Sequence, residues 1–376
     1  MQRTIRKYKF DAACLIKDGS MILDPYNKVG EFIMVKPFVS VSCITYNHEN
    51  YIADAIEGFL MQKTNFPFEI LIHDDASTDR TAEIIRSYEK KYPDLIKPIY
   101  QTENQYSQGK KPSSFNLKRA KGKYVALCEG DDYWTDPYKL QKQIDAMEDH
   151  PECNMCFHPA SIMNEKGIIK PKLSNKYPKE IKIFSTSEVI LKRAGYFPTV
   201  STVLRSDSIE HLIHPPEWTS KLKGSHTCNT VFGSLGGGAL FVPDTMAIYR
   251  QNTESSFSRR LSNDDEFALE WANSMCYCFD KLNEMTNYLY KKEFEKVKWH
   301  HCLDYLKSVS RPDRHKKIFF ETNKTNMPSH IKLCCRLLTH RSFATAWLVF
   351  SSPLLLIRRR DDPLSLLHSI YRRVRT

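Results

Sequence analysis

The sequence predicts an α/β fold with a mostly parallel sheet, and three observations carry that prediction. Three apolar runs of strand length, Pro37 to Thr45, Phe68 to His73 and Lys123 to Cys128, each end in a polar cluster rich in Asp, Asn or Thr. Each cluster gives way to a run with helical spacing: Ile52, Ala55, Ile56, Phe59 and Leu60; then Ile84, Ile85 and Tyr88; then Leu140, Ile144 and Met147. Strand, helix, strand, helix in that order means parallel strands joined by right-handed crossovers. Ligands in such sheets sit outside the carboxyl ends of the strands. Thr45 to Asn47, Asp74-Asp75 and Asp131-Asp132 are therefore expected along one edge.

Taken in order, residues 1–36 lack this periodicity and are read as an accessory segment, with Cys14 to Ile16 and Glu31 to Val35 as edge strands. After the second strand, Ser77 or Asp79 is placed to cap the next helix. The polar stretch Gln101 to Arg119 holds Gly109, Lys110, Lys111 and Pro112 and reads as a mobile loop over the ligand edge, with Lys110, Lys111 or Arg119 meeting phosphate. Beyond Glu129-Gly130-Asp131-Asp132-Tyr133-Trp134, either Thr135 or Asp136 is expected to cap a helix with Pro137 in its first turn. Within residues 160 to 220, Pro198 to Arg205 reads as a strand. Gly233 to Gly238 precedes an apolar strand, Ala239 to Val242, instead of opening a helix, so it is a turn and not a phosphate cradle. From about residue 256 the pattern is helical and basic, with Phe267, Trp271, Met275, Phe279 and Leu282 forming a core stripe.

The chemistry concentrates at Asp131 and Asp132. Adjacent carboxylates at a strand end offer hard oxygen ligands, which suit Mg or Mn carried on a diphosphate. Alone, such a pair is usually a solvated turn; the other two polar strand ends make it a candidate site.

The strings VSVSCITYNHENYIADAI, EILIHDDASTD and GKYVALCEGDDYWTDPYKLQKQ resemble the family 2 glycosyltransferases of the GT-A fold, over roughly residues 37 to 255. The resemblance implies a Rossmann-like, mostly parallel sheet flanked by helices, with the helical region 256–376 as a C-terminal extension. It also implies a nucleotide-sugar donor, a divalent metal, Mn or Mg, and transfer to an acceptor hydroxyl with inversion. Position by position, Thr45 and Tyr46, with Asn47 beside them, match the motif that holds the nucleoside, Tyr46 packing on the base. Asp75 matches the carboxylate that reads the base edge. Asp131 matches the first carboxylate of the family's pair, facing the ribose, and Asp132 the second, on the metal.

Two positions depart from that pattern. Relatives of this kind often carry a Gly-Asp pair about twenty residues before a segment like Pro243 to Arg250, with the Asp as catalytic base. Here the stretch reads Lys223-Gly224-Ser225-His226-Thr227, which puts His226 at the Asp position. A neutral imidazole, with an ordinary pKa of about 6.5, accepts a proton near neutrality. Glu217 and His214 are the alternative bases. Where a His often follows the Tyr-Arg pair, this chain has Gln251-Asn252, and an Asn oxygen ligates a hard cation only without charge.

Composition narrows the remaining possibilities. Of eleven cysteines only Cys153 and Cys156 have zinc-like spacing, with no second pair to complete four ligands. The charged start has no apolar signal segment, so a cytoplasmic chain with reduced thiols is expected. Ile331 to Thr376 holds nine Lys or Arg against two Asp, within a chain of net charge +11. Inside it, Phe343 to Ile357 is apolar but shorter than the roughly 20 residues that span a bilayer. Trp347 and Phe350 in the headgroup boundary and Arg358, Arg359, Arg360, Arg372, Arg373 and Arg375 on anionic lipid describe a peripheral anchor at the inner membrane face. A packed helical hairpin and a self-association surface are its rivals. Nucleic acid is disfavoured, because the aromatics are not interleaved with the basic residues. The acceptor expected is a cell-surface polysaccharide or lipopolysaccharide-type glycan, free or lipid-linked. A non-catalytic nucleotide-sugar or glycan-binding protein and a nucleotidyltransferase are the alternatives.

Overall fold

The structure, a computed structural model, describes residues 14–17, 20–23, 36–171, 177–224, 226–254, 256–308, 310–325 and 327–339. They divide into two compact units, the first taking the described residues up to Ser256 except Lys221–Gly224, the second those four and the residues from Phe257.

The first unit begins with a hairpin of β1 (Cys14–Lys17) and β2 (Ser20–Leu23), which forms its own two-stranded sheet. Cys14 to Ile16 is thus a strand, but not on the edge of the main sheet: the Asp18-Gly19 dipeptide favours tight reversal onto the next four residues. Glu31 to Val35 lies outside the described residues. Next come β3 (Val39–Thr45), α1 (Ile52–Leu60), β4 (Phe68–Asp74), α2 (Thr81–Lys91), β5 (Ile96–Tyr100), α3 (Pro112–Arg119), β6 (Tyr124–Glu129), β7 (Tyr133–Trp134) and α4 (Lys139–Asp149). There follow β8 (Met155–Phe157), β9 (Ala160–Met163), β10 (Ile169–Pro171), β11 (Lys182–Phe184), α5 (Thr186–Lys192), β12 (Val203–Arg205), α6 (Glu210–Ile213), α7 (His226–Ser234), β13 (Ala239–Phe241) and β14 (Ala247–Arg250).

The main sheet has eight strands in the order β11-β13-β8-β12-β6-β3-β4-β5, and β6, β3, β4 and β5 are mutually parallel. A four-stranded sheet, β10-β9-β14-β7, lies beside it in sequence order. The predicted helix faces are the buried ones: Ile52, Ala55, Ile56 and Phe59 on α1 and Leu140, Ile144 and Met147 on α4 are fully sequestered with Val41, Cys43, Ile70 and Ala126. Trp134 seals this core, its ring edge-on to Phe59 and its Nε1 donating to Val200 O at 2.9 Å.

Several local expectations are corrected. The second half of Gln101 to Arg119 is the helix α3, opened by Pro112, not a loop over the site. Its polar groups serve strand carbonyls: buried Asn116 donates to Cys43 O and Leu71 O, and Arg119 donates to Ile72 O and Asn116. Arg119 is thereby tied to β4, and Lys110 to Gln105 Oε1 at 2.7 Å. Polar composition misled here because those side chains are bonded inward. Before α4, Asp136 accepts from Tyr138 N and pairs with Lys142, forming a turn, so Pro137 precedes the helix. Before α2, Asp79 accepts from Thr81 N, while Ser77 turns back to Asp74. Pro198 to Arg205 is a 3₁₀ turn, Thr199–Ser201, followed by the short β12. Gly233 belongs to α7, and the turn proper is Gly236 to Gly238, where a Cβ on Gly237 would fall 1.6 Å from Glu152 O.

The second unit is helical: α8 (Phe257–Asn263), α9 (Asp265–Met285), α10 (Lys291–Lys307), α11 (Asp313–Asn323) and α12 (Ser329–Leu338). Asp264 caps α9 by accepting from Phe267 N, and Phe267, Met275, Phe279 and Leu282 are buried, with Trp271 half-buried. The described cysteines from Cys43 to Cys335 are buried and form no disulfide with one another, Cys276 and Cys302 bringing their sulfurs to 3.6 Å. No helix among the described residues is long and apolar enough to cross a membrane. Phe343 to Ile357 and the arginines after it lie outside the described residues.

Candidate active site

Parallel registers align the carboxyl ends of β6, β3 and β4: Ile44 stands opposite Glu129, and Thr45 opposite Asp74. Near-continuous apolar runs keep the strand bodies buried on both faces, so the polar residues that end each strand emerge together. The backbone joins them further, Gly130 N donating to Ile44 O and Asp75 N to Thr45 O.

Glu129, Asp131 and Asp132 form the group able to hold a metal ion among the described residues, each offering an oxygen within 4.8 Å of the others. Burial, then the charges of Asp131 and Glu129, hold the Asp132 carboxyl well above the usual carboxylate range. Burial and Asp131 push Glu129 up to about 7. Asp132 Oδ1 accepts from Arg250 N at 2.8 Å, whereas Asp132 Oδ2 is buried without a hydrogen-bond partner. Asp131 Oδ2 accepts from Thr253 Oγ1 at 2.9 Å.

Arg250, at the end of β14, is buried and central. Its Nη1 donates to Asp131 O at 2.9 Å, its Nη2 meets Asp54 on α1, and its guanidinium lies over Tyr133 at 4.5 Å and Tyr51 at 5.1 Å. Asn252 follows with φ +64°, a left-handed turn that asparagine tolerates, bringing Thr253 back to Asp131.

The second carboxylate pair is differently held. Asp75 Oδ1 accepts from Gln105 N at 2.8 Å and Oδ2 from Tyr106 N at 3.0 Å. Asp74 accepts from both the backbone and the hydroxyl of Ser77. Asn47, with φ +54°, accepts from Thr78 N through Oδ1 and donates its backbone N–H to Ser77 Oγ, so its amide stitches the β3 and β4 loops together. Tyr46 is 38 % exposed beside it.

Thr45 Oγ1 and His48 Nδ1 are buried and unpartnered, and both lie against Gly130: a Cβ there would sit 2.7 Å from Thr45 Oγ1 and 3.1 Å from His48 Nδ1. His226 opens α7, half-buried, with Nε2 2.6 Å from Phe197 O. A carbonyl only accepts, so Nε2 carries the proton and a neutral ring has its lone pair on Nδ1. Glu217 and His214 are exposed, His214 3.7 Å from Glu210.

Thus Thr45, Asp75, Asp131 and Asp132 share three adjacent strand ends, Tyr46 and Asn47 follow the first, and His226 stands on a separate element. Sequence reasoning missed Glu129, His48, Arg250 and Thr253 as site residues. Glu129 was legible as the first carboxylate after the apolar run that ends at Cys128, but Thr253 gave no signal, since only the Asn252 turn brings it round.

A hard divalent cation fits this donor set. Three clustered carboxyls, two of them held above the usual range, and a buried oxygen with no donor are what a bound dication would satisfy.

Residues 40–212 match the family model "Glycosyl transferase family 2". An uncharacterized protein of Mycobacterium tuberculosis is 38% identical over 220 residues, which cover 57% of this chain and 59% of that protein. The putative teichuronic acid biosynthesis glycosyltransferase TuaG of Bacillus subtilis is 36% identical over 132 residues, 35% of this chain and 50% of TuaG. The chain therefore spans less than two thirds of the length of these relatives. Among solved structures, the crystal structure of S. aureus TarS 1-349 aligns at a TM-score of 0.48 with 18% identity, covering 82% of this chain and 90% of that one. Residues 40–212, which carry the parallel strands and the carboxylates at their ends, are thus a family 2 glycosyltransferase region.

Proposed function

We propose that this protein transfers a sugar from a nucleotide-sugar donor to an acceptor hydroxyl, with inversion and with a divalent metal, Mn or Mg. The observation that carries the reading is the unpartnered buried Oδ2 of Asp132, beside Asp131 and Glu129 at the end of β6. Asp132 would hold the metal, with Glu129 at its side. When bound, such an ion offsets the charge that develops on a departing nucleoside diphosphate.

The chain's own residues supply the rest. Tyr46 presents an exposed ring for the base, and Asp75, fixed by two backbone N–H groups, offers its remaining lone pairs to the base edge. Asp131 faces the ribose, and Thr45 and Asn47 shape the pocket wall. His226 acts as the base: with Nε2 tied to Phe197 O, its Nδ1 takes the acceptor proton, an effect worth typically about 10²- to 10⁴-fold.

A cell-surface polysaccharide or lipopolysaccharide-type glycan, free or lipid-linked, is the acceptor we favour. The name of TuaG and the apolar, arginine-rich sequence after residue 340 support that class and a peripheral site at the inner membrane face. Incubation with a panel of nucleotide sugars, Mn and glycan acceptors should release a nucleoside diphosphate and form an inverted linkage. Tight donor binding without transfer across the panel would favour a binding protein instead, and release of pyrophosphate a nucleotidyltransferase.

A further inference from the structure

We propose that residues 250–253 form a clasp that leaves one oxygen of each aspartate for ligand, and that Thr253 is a positioning residue through which Asp131 reads a ribose hydroxyl. This rests on the reading of Asp131 as the nucleotide carboxylate. The division is visible atom by atom. Arg250 N takes Asp132 Oδ1 and leaves Oδ2; Thr253 Oγ1 takes Asp131 Oδ2, and no described residue donates to Asp131 Oδ1.

The clasp is needed because three negative groups stand within 4.8 Å. Mutual repulsion would rotate the Asp131 carboxyl away from its neighbours. The Thr253 hydroxyl holds it through one charge-assisted bond, with both residues at least nine-tenths buried. The hydroxyl proton is committed to Asp131, so the Thr253 oxygen can only accept from anything else. Asp131 Oδ1 and Thr253 Oγ1 together thus form an acceptor-only pair, suited to hydroxyl donors such as a ribose diol.

The test uses the full chain with Mn²⁺ and UDP or GDP, together with their 2′- and 3′-deoxy analogues. Thr253→Val keeps the shape and removes the donor. It should weaken binding of the ribonucleotide about tenfold, within the range for losing a bond to a charged group, and shrink the preference for ribo over deoxy. Mn²⁺ affinity without nucleotide, read by electron paramagnetic resonance, should stay unchanged, because Asp132 keeps its Arg250 N–H. Thr253→Ser should restore both affinity and preference. Wild-type nucleotide affinity and ribose preference in Thr253→Val would overturn the clasp while leaving the proposed function standing. So would failure of Thr253→Ser to rescue, or an equal loss of Mn²⁺ affinity. If the wild type binds neither UDP nor GDP, the nucleotide reading itself fails and the clasp with it.

Discussion

Two Asp-Asp pairs stand at the carboxyl ends of the parallel strands β4 and β6, on either side of β3, and their surroundings differ. Asp74 Oδ1 accepts twice from Ser77, and both carboxyl oxygens of Asp75 accept from the backbone of Gln105 and Tyr106. Asp132 keeps one buried oxygen with no donor and is held well above the usual carboxylate range. An identical dipeptide at a strand end thus has oxygens bonded by the chain in one case and keeps a buried oxygen without a donor in the other. What distinguishes them is how many donors the fold supplies.

The largest effect that could break this contrast is at Asp132. Asp132→Ala should abolish Mn-dependent nucleotide binding, read by calorimetry, while the protein stays folded, because relief of the buried carboxyl's desolvation offsets the acceptor lost by Arg250 N. Retained metal-dependent binding would erase the distinction between the pairs. Next in size is the base. His226→Ala should cut turnover by about two orders of magnitude or more, with donor affinity nearly unchanged. In His226→Asp the acidic limb of the pH profile should move lower, as a carboxylate titrates below imidazole. Unimpaired turnover in His226→Ala would pass the role to Glu217 or His214.

The anchor pair should answer in stability. Asp75→Ala leaves the N–H groups of Gln105 and Tyr106 without an acceptor and should destabilise by about 1–3 kcal/mol. Hydrogen exchange should quicken at residues 104–106, with no change in Mn²⁺ affinity; unaltered exchange there would remove the anchoring role. The smallest effect concerns Asp74. Burial raises its pKa, against the opposing bonds from Ser77. The folded state therefore holds the proton more tightly than the unfolded state, so this carboxyl penalises folding as pH rises from the ordinary aspartate range through its raised folded value. Asp74→Asn still accepts from Ser77 and lacks the charge. It should raise the neutral-pH melting temperature slightly, and the gain should vanish below the ordinary aspartate range. A gain that persists in acid would point to packing instead.

The sheet was legible because strands and helix faces are written locally: Phe68 to His73 and Lys123 to Cys128 are largely apolar runs of strand length, and Ile52, Ile56 and Phe59 recur at helical spacing. The strand-end polar residues could be read for the same reason. Residues 110–119 defeated that reading because Asn116 and Arg119 are polar for the sake of strand carbonyls, a tertiary purpose that composition does not reveal. Arg250 and Thr253 were hidden differently, as their partners lie 118 to 122 residues earlier in the chain. His226 came from alignment to a family pattern, and its bond to Phe197 O was not visible in sequence at all.

That separation along the chain bears on when the site comes into being. Both carboxylates leave the ribosome with β6, but the N–H and hydroxyl that orient them follow only with β14, which must pair with β7 and β9 before Arg250 and Thr253 arrive. Until then Asp131 and Asp132 belong to a partly assembled sheet and stay hydrated. Such long-range pairing is entropically costly to close and comes late compared with local contacts. A chain interrupted before residue 247 would therefore display the whole motif without the bonds that orient it, so on the metal reading proposed above, cation binding would report that β14 has docked.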